Sequence, residues 1–276
     1  MRTLTVSGLA LTLMLGAAGC DASHQRAAAP GAKAVHGTAG TPLPSGSVGA
    51  SAGDAAGRAV VAMVDRADAM DSVHVVTVQQ RSTSKVTMSG LIAWGGAGEG
   101  TDYTVAPSAI GMQGLNHQDR TEMRTVNGSE YVRIDPMPPG PYKGRTWIRL
   151  SLSTLGQGTA DAMAEALEHS PVHRLSLMPS SGPVTLIGRE TVDGRPAVHY
   201  RGTEPVDPRI VASRKVPATQ RVDVWVGADG LPLRMITDDG EQRNTQDFTG
   251  FGGLKHIQEP PAVQTVDESA AKGTTA

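Results

Sequence analysis

Eight histidines, one cysteine and a scatter of serines and carboxylates are the side chains of this 276-residue sequence whose types could do chemistry. Their spacing argues against it. His169 and His173 stand four apart, the interval that puts two imidazoles on one helix face, but Pro171 lies between them and ends any such helix. No third ligand follows at a zinc-site spacing. His24 and His36 lie in a stretch dominated by Ala, Gly, Ser, Thr and Pro. Ser151, Ser153 and Ser176 lack the Gly-x-Ser-x-Gly context of a nucleophile elbow. The glycine-rich run at 95–100 has neither the Lys-Ser/Thr pair nor the following helix of a phosphate cradle, and reads as a hairpin loop. Asp238-Asp239-Gly240-Glu241 offers carboxylates to calcium but reads as a solvated turn. No catalytic residue, metal or cofactor is expected. A formal net charge of −2 gives no basic footprint for nucleic acid.

The cysteine has a different meaning. Arg2 is followed by an apolar stretch from Leu9 to Leu15, then by the small residues Ala17, Ala18 and Gly19, and then by Cys20. A basic start, a short apolar core and small residues are the order of a secretory signal. The apolar stretch is about half the ~20 residues that a membrane-spanning helix needs. The run ending in Cys20 resembles a bacterial lipobox, with Ala17 where such motifs more often carry Leu. That resemblance implies a signal peptide over 1–19 and a Cys20 thiol that receives a diacylglyceryl group. Two or more acyl chains anchor a protein stably, so the expected location is extracytoplasmic, on the outer face of the cell membrane. An acylated Cys20 also leaves no thiol for disulfides, metal sites or nucleophilic catalysis.

Residues 20–54 hold too little apolar material to offset the entropy of ordering and read as a disordered tether. A flexible coil of roughly 34 residues spans roughly 30 Å. Residues 262–276 have a similar composition and read as a flexible tail. Between them, 55–261 is long enough for one domain with a sizeable core.

Elements within that domain follow from periodicity. Val60, Val61, Met63, Val64, Ala67 and Met70 recur at helical spacing, with Asp54 as the N-cap. The run 74–79 is rich in β-branched residues and 85–94 alternates through Val86, Met88, Ile92 and Trp94, which predicts strands. Asn127-Gly128, Asp193-Gly194 and Ala228-Asp229-Gly230 each sit between two strand-like runs and predict hairpins. A second helix is expected over 159–169, and a short one over 207–214. The proline-rich stretch 136–141 must be a loop. Short connections require antiparallel neighbours. The class is α+β, with one large antiparallel sheet and few helices.

Two segments carry a resemblance to a known group. The run 188–202, Gly-Arg-Glu-Thr-Val-Asp-Gly-Arg-Pro-Ala-Val-His-Tyr-Arg-Gly, resembles the Asp-Gly hairpin of actinobacterial lipoproteins of the LppX and LprG group. The run 223–234, with Val224-Trp225-Val226 and Asp229-Gly230-Leu231-Pro232-Leu233-Arg234, is similar to their second hairpin, and Tyr131, Arg133 and 147–150 fit the segment before. The group is related in fold to the LolA and LolB lipoprotein carriers. The resemblance implies a half barrel, a curved antiparallel sheet whose concave face is covered by helices, with an apolar cavity for acyl chains between them. It implies lipid or glycolipid binding and no catalytic residues. Only nine residues here are aromatic, with Phe248 and Phe251 the sole phenylalanines, a departure that leaves the ligand open.

The expected cavity lining is Val60, Met63, Val64 and Met70 from the first helix, Met163 and Leu167 from the second, and Met88, Ile92, Val198, Tyr200, Val222, Val224 and Val226 from strands. Methionine and valine suit floppy acyl chains. The same residues equally suit a dry core, which periodicity does not distinguish from a lining. Two functions therefore stand at this point. One is a membrane-anchored lipid binder or carrier, with helix 55–70 and loop 136–141 as gate elements, in which Val224→Glu or Met63→Glu abolishes loading. The other is a partner-binding or sensory envelope lipoprotein with a filled core.

Overall fold

Two dipeptides set the local geometry of the sheet. Asn127 and Gly128 have φ of 49° and 67°, and Asp193 and Gly194 have φ of 48° and 78°. Consecutive left-handed residues make a type I′ turn, whose twist matches that of the strands it joins. Gly194→Ala is expected to cost about 1 kcal/mol, since a Cβ is disfavoured in this conformation, although nothing lies within 4 Å of the site. Urea unfolding would measure it.

The computed structural model describes residues 52–96, 98–135, 140–151, 167–206, 216–253 and 256–269. The expected signal peptide, Cys20, nearly all of the tether, Met163, most of the second helix, the short helix at 207–214 and residues 136–139 lie outside these. The first helix, α1, runs Ala52–Asp68, so Asp54 falls in its first turn rather than at the cap. A carboxylate there faces the positive end of the helix dipole. Strands follow as β1 Ser72–Arg81, β2 Lys85–Ala93, β3 Gly100–Val105, β4 Thr121–Val126, β5 Ser129–Arg133 and β6 Trp147–Ser151. After a 3-10 turn His173–Leu177 and one helical turn Met178–Ser181 come β7 Thr185–Val192, β8 Arg195–Pro205, β9 Thr219–Gly227, β10 Pro232–Asp238, β11 Gln242–Thr249 and β12 Thr265–Asp267.

All twelve strands form one sheet in the order β12-β6-β5-β4-β3-β2-β1-β11-β10-β9-β8-β7, with edges at β12 and β7 that do not close on each other. Two chain runs are thus joined side by side. β1 to β6 is one meander, β7 to β11 another, and β1 with β11 is the seam, in register from His74↔Thr249 to Arg81↔Gln242. The sheet is mixed rather than purely antiparallel, because β12 pairs parallel to β6 through Thr265↔Trp147, Val266↔Ile148 and Asp267↔Arg149. The stretch expected to be a flexible tail from 262 therefore opens with a 3-10 turn, Ala262–Gln264, that leads into edge strand β12. Its approach is held by contacts invisible to composition: Arg124 donates to the Gln258 carbonyl, and Asn127 Nδ2 donates to Glu259 Oε1 at 2.8 Å.

The glycine-rich run at 95–100 carries the chain from β2 to β3, as a hairpin loop should, with Gly95 and Gly98 at φ 69° and 93°. The acidic turn has occupied carboxylates. Asp239 Oδ1 accepts from the Glu241 and Gln242 amides, and Asp238 Oδ2 accepts from Arg221.

One face of the sheet carries the main core. From α1, Ala56, Val60, Met63, Val64 and Ala67 point to it, the i, i+4, i+7, i+8, i+11 stripe of an amphipathic helix. Trp94, Leu167, Val172, Leu175 and Met178 join the same cluster. The opposite face has two smaller clusters. One groups Ala93, Val126, Tyr131, Trp147 and Ile257, with Arg124 over the Trp147 ring at 5.0 Å. The other centres on Val192, Ala197 and Leu233. Beside it His199 stacks on Trp225 and sets its two ring nitrogens 2.9 Å from Glu190 and 2.7 Å from Asp223. Asp223 is buried and also accepts from Arg201 at 2.7 Å.

Candidate functional site

Side chains directly opposite each other across an antiparallel ladder share a face, so the registers define what lines the core face. One row runs Tyr200, Val224, Met235, Gln246, Thr77, Met88, Val105 and Thr121 from β8 to β4. A second runs Phe248, Val75, Gly90, Tyr103, Met123 and Val132 from β11 to β5. A third runs Val73, Ile92, Thr101, Thr125, Glu130 and Leu150 from β1 to β6. The first two rows are mainly apolar. The third turns polar at Thr101 and stays so to Glu130.

Those polar groups are buried, and the two threonine hydroxyls lack partners among the described residues. Thr101, Thr125 and Glu130 are 1 %, 2 % and 8 % exposed, and the hydroxyls of Thr101 and Thr125 meet no hydrogen-bonding atom among the described residues, while that of Thr77 lies beside the Tyr103 phenol. Burial alone pushes the Glu130 carboxyl up to about 7, because the charged form loses its hydration without gaining a cation. Burial also raises the Tyr103 phenol. At neutral pH Glu130 is thus a carboxyl that can either donate or accept a hydrogen bond. A second acid lies on the same face of the distant β8. Glu204 Oε1 accepts from Gln220 at 2.6 Å, while Oε2 is buried without a described partner, and burial raises this carboxyl too.

Of the residues expected to line a cavity, Val60, Met63, Val64, Met88, Ile92, Leu167, Val222, Val224 and Val226 are buried in the single main cluster. Met70 and Tyr200 are half-buried and pack on its border. Val198 is half-buried and is not grouped with them. Met163 lies outside the described residues. The tertiary structure therefore assembles most of the expected set, and adds Trp94, Tyr103, Met123, Phe248 and the polar row, which sequence reasoning missed. A signal for the polar row existed. The two-residue Asn127-Gly128 turn forces Thr125 opposite Glu130, so placing Met123 inward also places Glu130 inward.

The expectation of no metal ligand set needs correcting in its geometry. Pro171 does stop the helix, yet the chain turns back so that the His169 and His173 rings stack at 3.8 Å. The third group comes from α1: Asp68, with a ligand atom within 4.8 Å of both. A partner 101 residues upstream of the nearer histidine has no sequence spacing by which to be recognised.

No family model matches the chain. Two curated relatives are from Streptomyces. An uncharacterized protein of Streptomyces griseus is 25% identical over 219 residues, 69% of this chain and 72% of its own. A Streptomyces coelicolor protein that bears the name "Putative lipoprotein" is 27% identical over 206 residues, 71% of this chain and 68% of its own. Among solved structures, LprF from Mycobacterium bovis matches with a TM-score of 0.51 at 14% identity, covering 75% of this chain and 98% of that one. The Mycobacterium tuberculosis lipoprotein LppX matches with a TM-score of 0.49 at 14% identity, over 74% of this chain and 98% of that one. In sequence the chain is similar to these Streptomyces proteins, and in fold to the mycobacterial protein LprF.

Proposed function

We propose that this chain is a non-enzymatic envelope lipoprotein, anchored through Cys20 on the outer face of the cell membrane, that binds a lipid or glycolipid between the core face of its sheet and the elements covering it. The sheet would then be the curved half barrel of the related fold, with helices over its concave side. The single observation that carries the reading is the mixed chemistry of that face across β1 to β5. An apolar floor of Val75, Met88, Ile92, Tyr103, Met123 and Val132 adjoins the two unpartnered hydroxyls of Thr101 and Thr125 and a protonatable carboxyl. A dry core built only for stability has no use for stranded hydroxyls, each of which costs about 1–3 kcal/mol when buried unpaired. An amphiphile uses both parts. Its acyl chains gain about 0.8 kcal/mol per methylene removed from water, and its polar group takes the hydrogen bonds.

The test is native mass spectrometry on the full-length chain carrying Cys20→Ser, purified without detergent, so that no acyl group of its own is counted. The expected result is adducts of acyl-lipid mass that vanish on organic extraction. Protein that arrives bare and takes up no lipid from added vesicles would overturn the reading. The rival, a partner-binding module with a filled core, is favoured by one feature: edge strand β7 leaves Leu186 and Ile187 56 % and 43 % exposed, an arrangement that invites strand pairing. Bare protein whose binding to an envelope protein is lost on Ile187→Lys would support it.

A further inference from the structure

We infer that Asp68, His169 and His173 form a binding site for a divalent transition ion, zinc foremost. The inference stands apart from the lipid reading, because the three residues lie outside the polar row and apolar floor described above.

Three donors from two distant chain segments meet at one point. Asp68 is the last residue of α1. His169 and His173 flank the turn at Pro171, and one ligand atom from each of the three residues lies within 4.8 Å of the other two. Two imidazoles and one carboxylate are a nitrogen and oxygen set that suits zinc, with bonds of about 2.0–2.2 Å, and three protein ligands leave a fourth position for water. Oxygen-only ions such as calcium and magnesium do not call for imidazole.

The carboxylate is already oriented. Asp68 Oδ1 accepts the Ser170 amide at 3.0 Å, which leaves Oδ2 toward the histidines, 2.5 Å from His173 Nδ1. This is the kind of support that fixes a ligating carboxylate from outside. Binding an ion would replace the hydrogen bond between His173 and Asp68 with bonds from both to the metal. The parallel ring stack at 3.8 Å, with 10° between planes, does not yet converge both lone pairs. His169 is exposed, so its side chain is free to rotate toward a shared ion.

The site would clamp the C-terminal end of α1 to the turn 169–173. Both flank the main core, because Trp94 Nε1 donates to the Asp68 carbonyl and Gly95 N donates to the Leu167 carbonyl. An ion there ties the helix to the segment entering β7 without any disulfide.

The experiment is titration of the full-length chain, stripped with EDTA, with zinc chloride and separately with cobalt chloride. The expected result is one equivalent of metal bound at this site, a visible cobalt absorption of low-symmetry tetrahedral type, and a melting temperature raised by several degrees in excess zinc. His169→Ala and His173→Gln should each weaken uptake at least tenfold. Because His169 is exposed, His169→Ala should melt at the wild-type temperature in EDTA, which separates loss of a ligand from loss of the fold. Uptake that is absent, or that His169→Ala and Asp68→Asn leave unchanged, overturns the assignment and leaves the triad an ordinary His–Asp ion pair. A His24→Ala/His36→Ala variant that retains the cobalt spectrum supports it; loss of the spectrum there would place the ion on the tether and overturn it.

Discussion

Val224→Glu is expected to leave little folded protein at neutral pH. Val224 is fully buried, opposite Tyr200 on β8 and Met235 on β10. The substitution removes about 2 kcal/mol of apolar burial. It also forces a carboxyl either to stay charged in a dry site or to take a proton, a shift of about 3–5 pKa units, or about 4–7 kcal/mol. The sum approaches the whole stability of a typical domain, about 5–15 kcal/mol. Thermal melting followed by circular dichroism would show it as a transition lowered by tens of degrees or lost. The alternative outcome is informative. Should Val224→Glu melt near the wild type while failing to load lipid, the side chain must reach water, and this part of the core would be an open cavity rather than a filled layer. Val224 and Met63 are both buried in the main cluster, so lost loading in either acidic variant counts only alongside such a melt. Border positions such as Tyr200 and Leu150, half-buried against the same cluster, are better places to perturb lipid binding without unfolding.

Glu130→Gln should stabilise the protein above neutral pH. The sign follows from proton binding. With its carboxyl held at about 7 in the folded chain and an ordinary value of 4.5 when unfolded, Glu130 binds more protons folded than unfolded between these two values. Stability from this group is therefore full below about pH 4.5 and declines as pH rises to about 7, after which it is flat. The decline amounts to about 3 kcal/mol. Glutamine keeps the shape and both hydrogen-bonding functions but cannot ionise. Urea unfolding of both proteins at pH 5 and pH 8 checks this: the variant should gain about 3 kcal/mol over the wild type at pH 8 and differ little at pH 5. Equal differences at both pH values would mean that Glu130 is not held protonated by burial. Glu204, also raised by burial, is common to both proteins and cancels in the comparison. If a lipid polar group accepts a hydrogen bond from Glu130, loading should weaken as pH rises through about 7, where the folded carboxyl gives up its proton.

Local patterns settled much of this architecture in advance. The stripe from Val60 to Ala67 specifies an amphipathic helix because only one face of it can be buried. The Asn-Gly and Asp-Gly pairs specify hairpins because their left-handed backbone suits the strand twist, and a two-residue turn leaves no freedom of register. Alternation in β9 then dictates that Val222, Val224 and Val226 face the core while Asp223 and Trp225 face away. All of these are interactions between residues close in sequence, where spacing and geometry are nearly the same thing.

What only the tertiary structure decided involves partners far apart along the chain. The seam of β1 with β11 joins the two meanders across more than 160 residues, and nothing in either strand names the other. β12 is too short and polar for its pattern to announce a strand; it is held by its parallel ladder to β6 and by the contacts of 258 and 259 with β4 and the turn after it. The burial of Glu130 contradicts its polarity, and only the three-dimensional closure of the core face reveals that it lies among apolar neighbours without a cation. The meeting of Asp68 with His169 and His173 has the same origin. Chemistry that depends on spacing along one element was legible in the sequence, whereas chemistry that depends on two elements approaching in space required the fold, because the chain carries no local record of which distant surface will cover it.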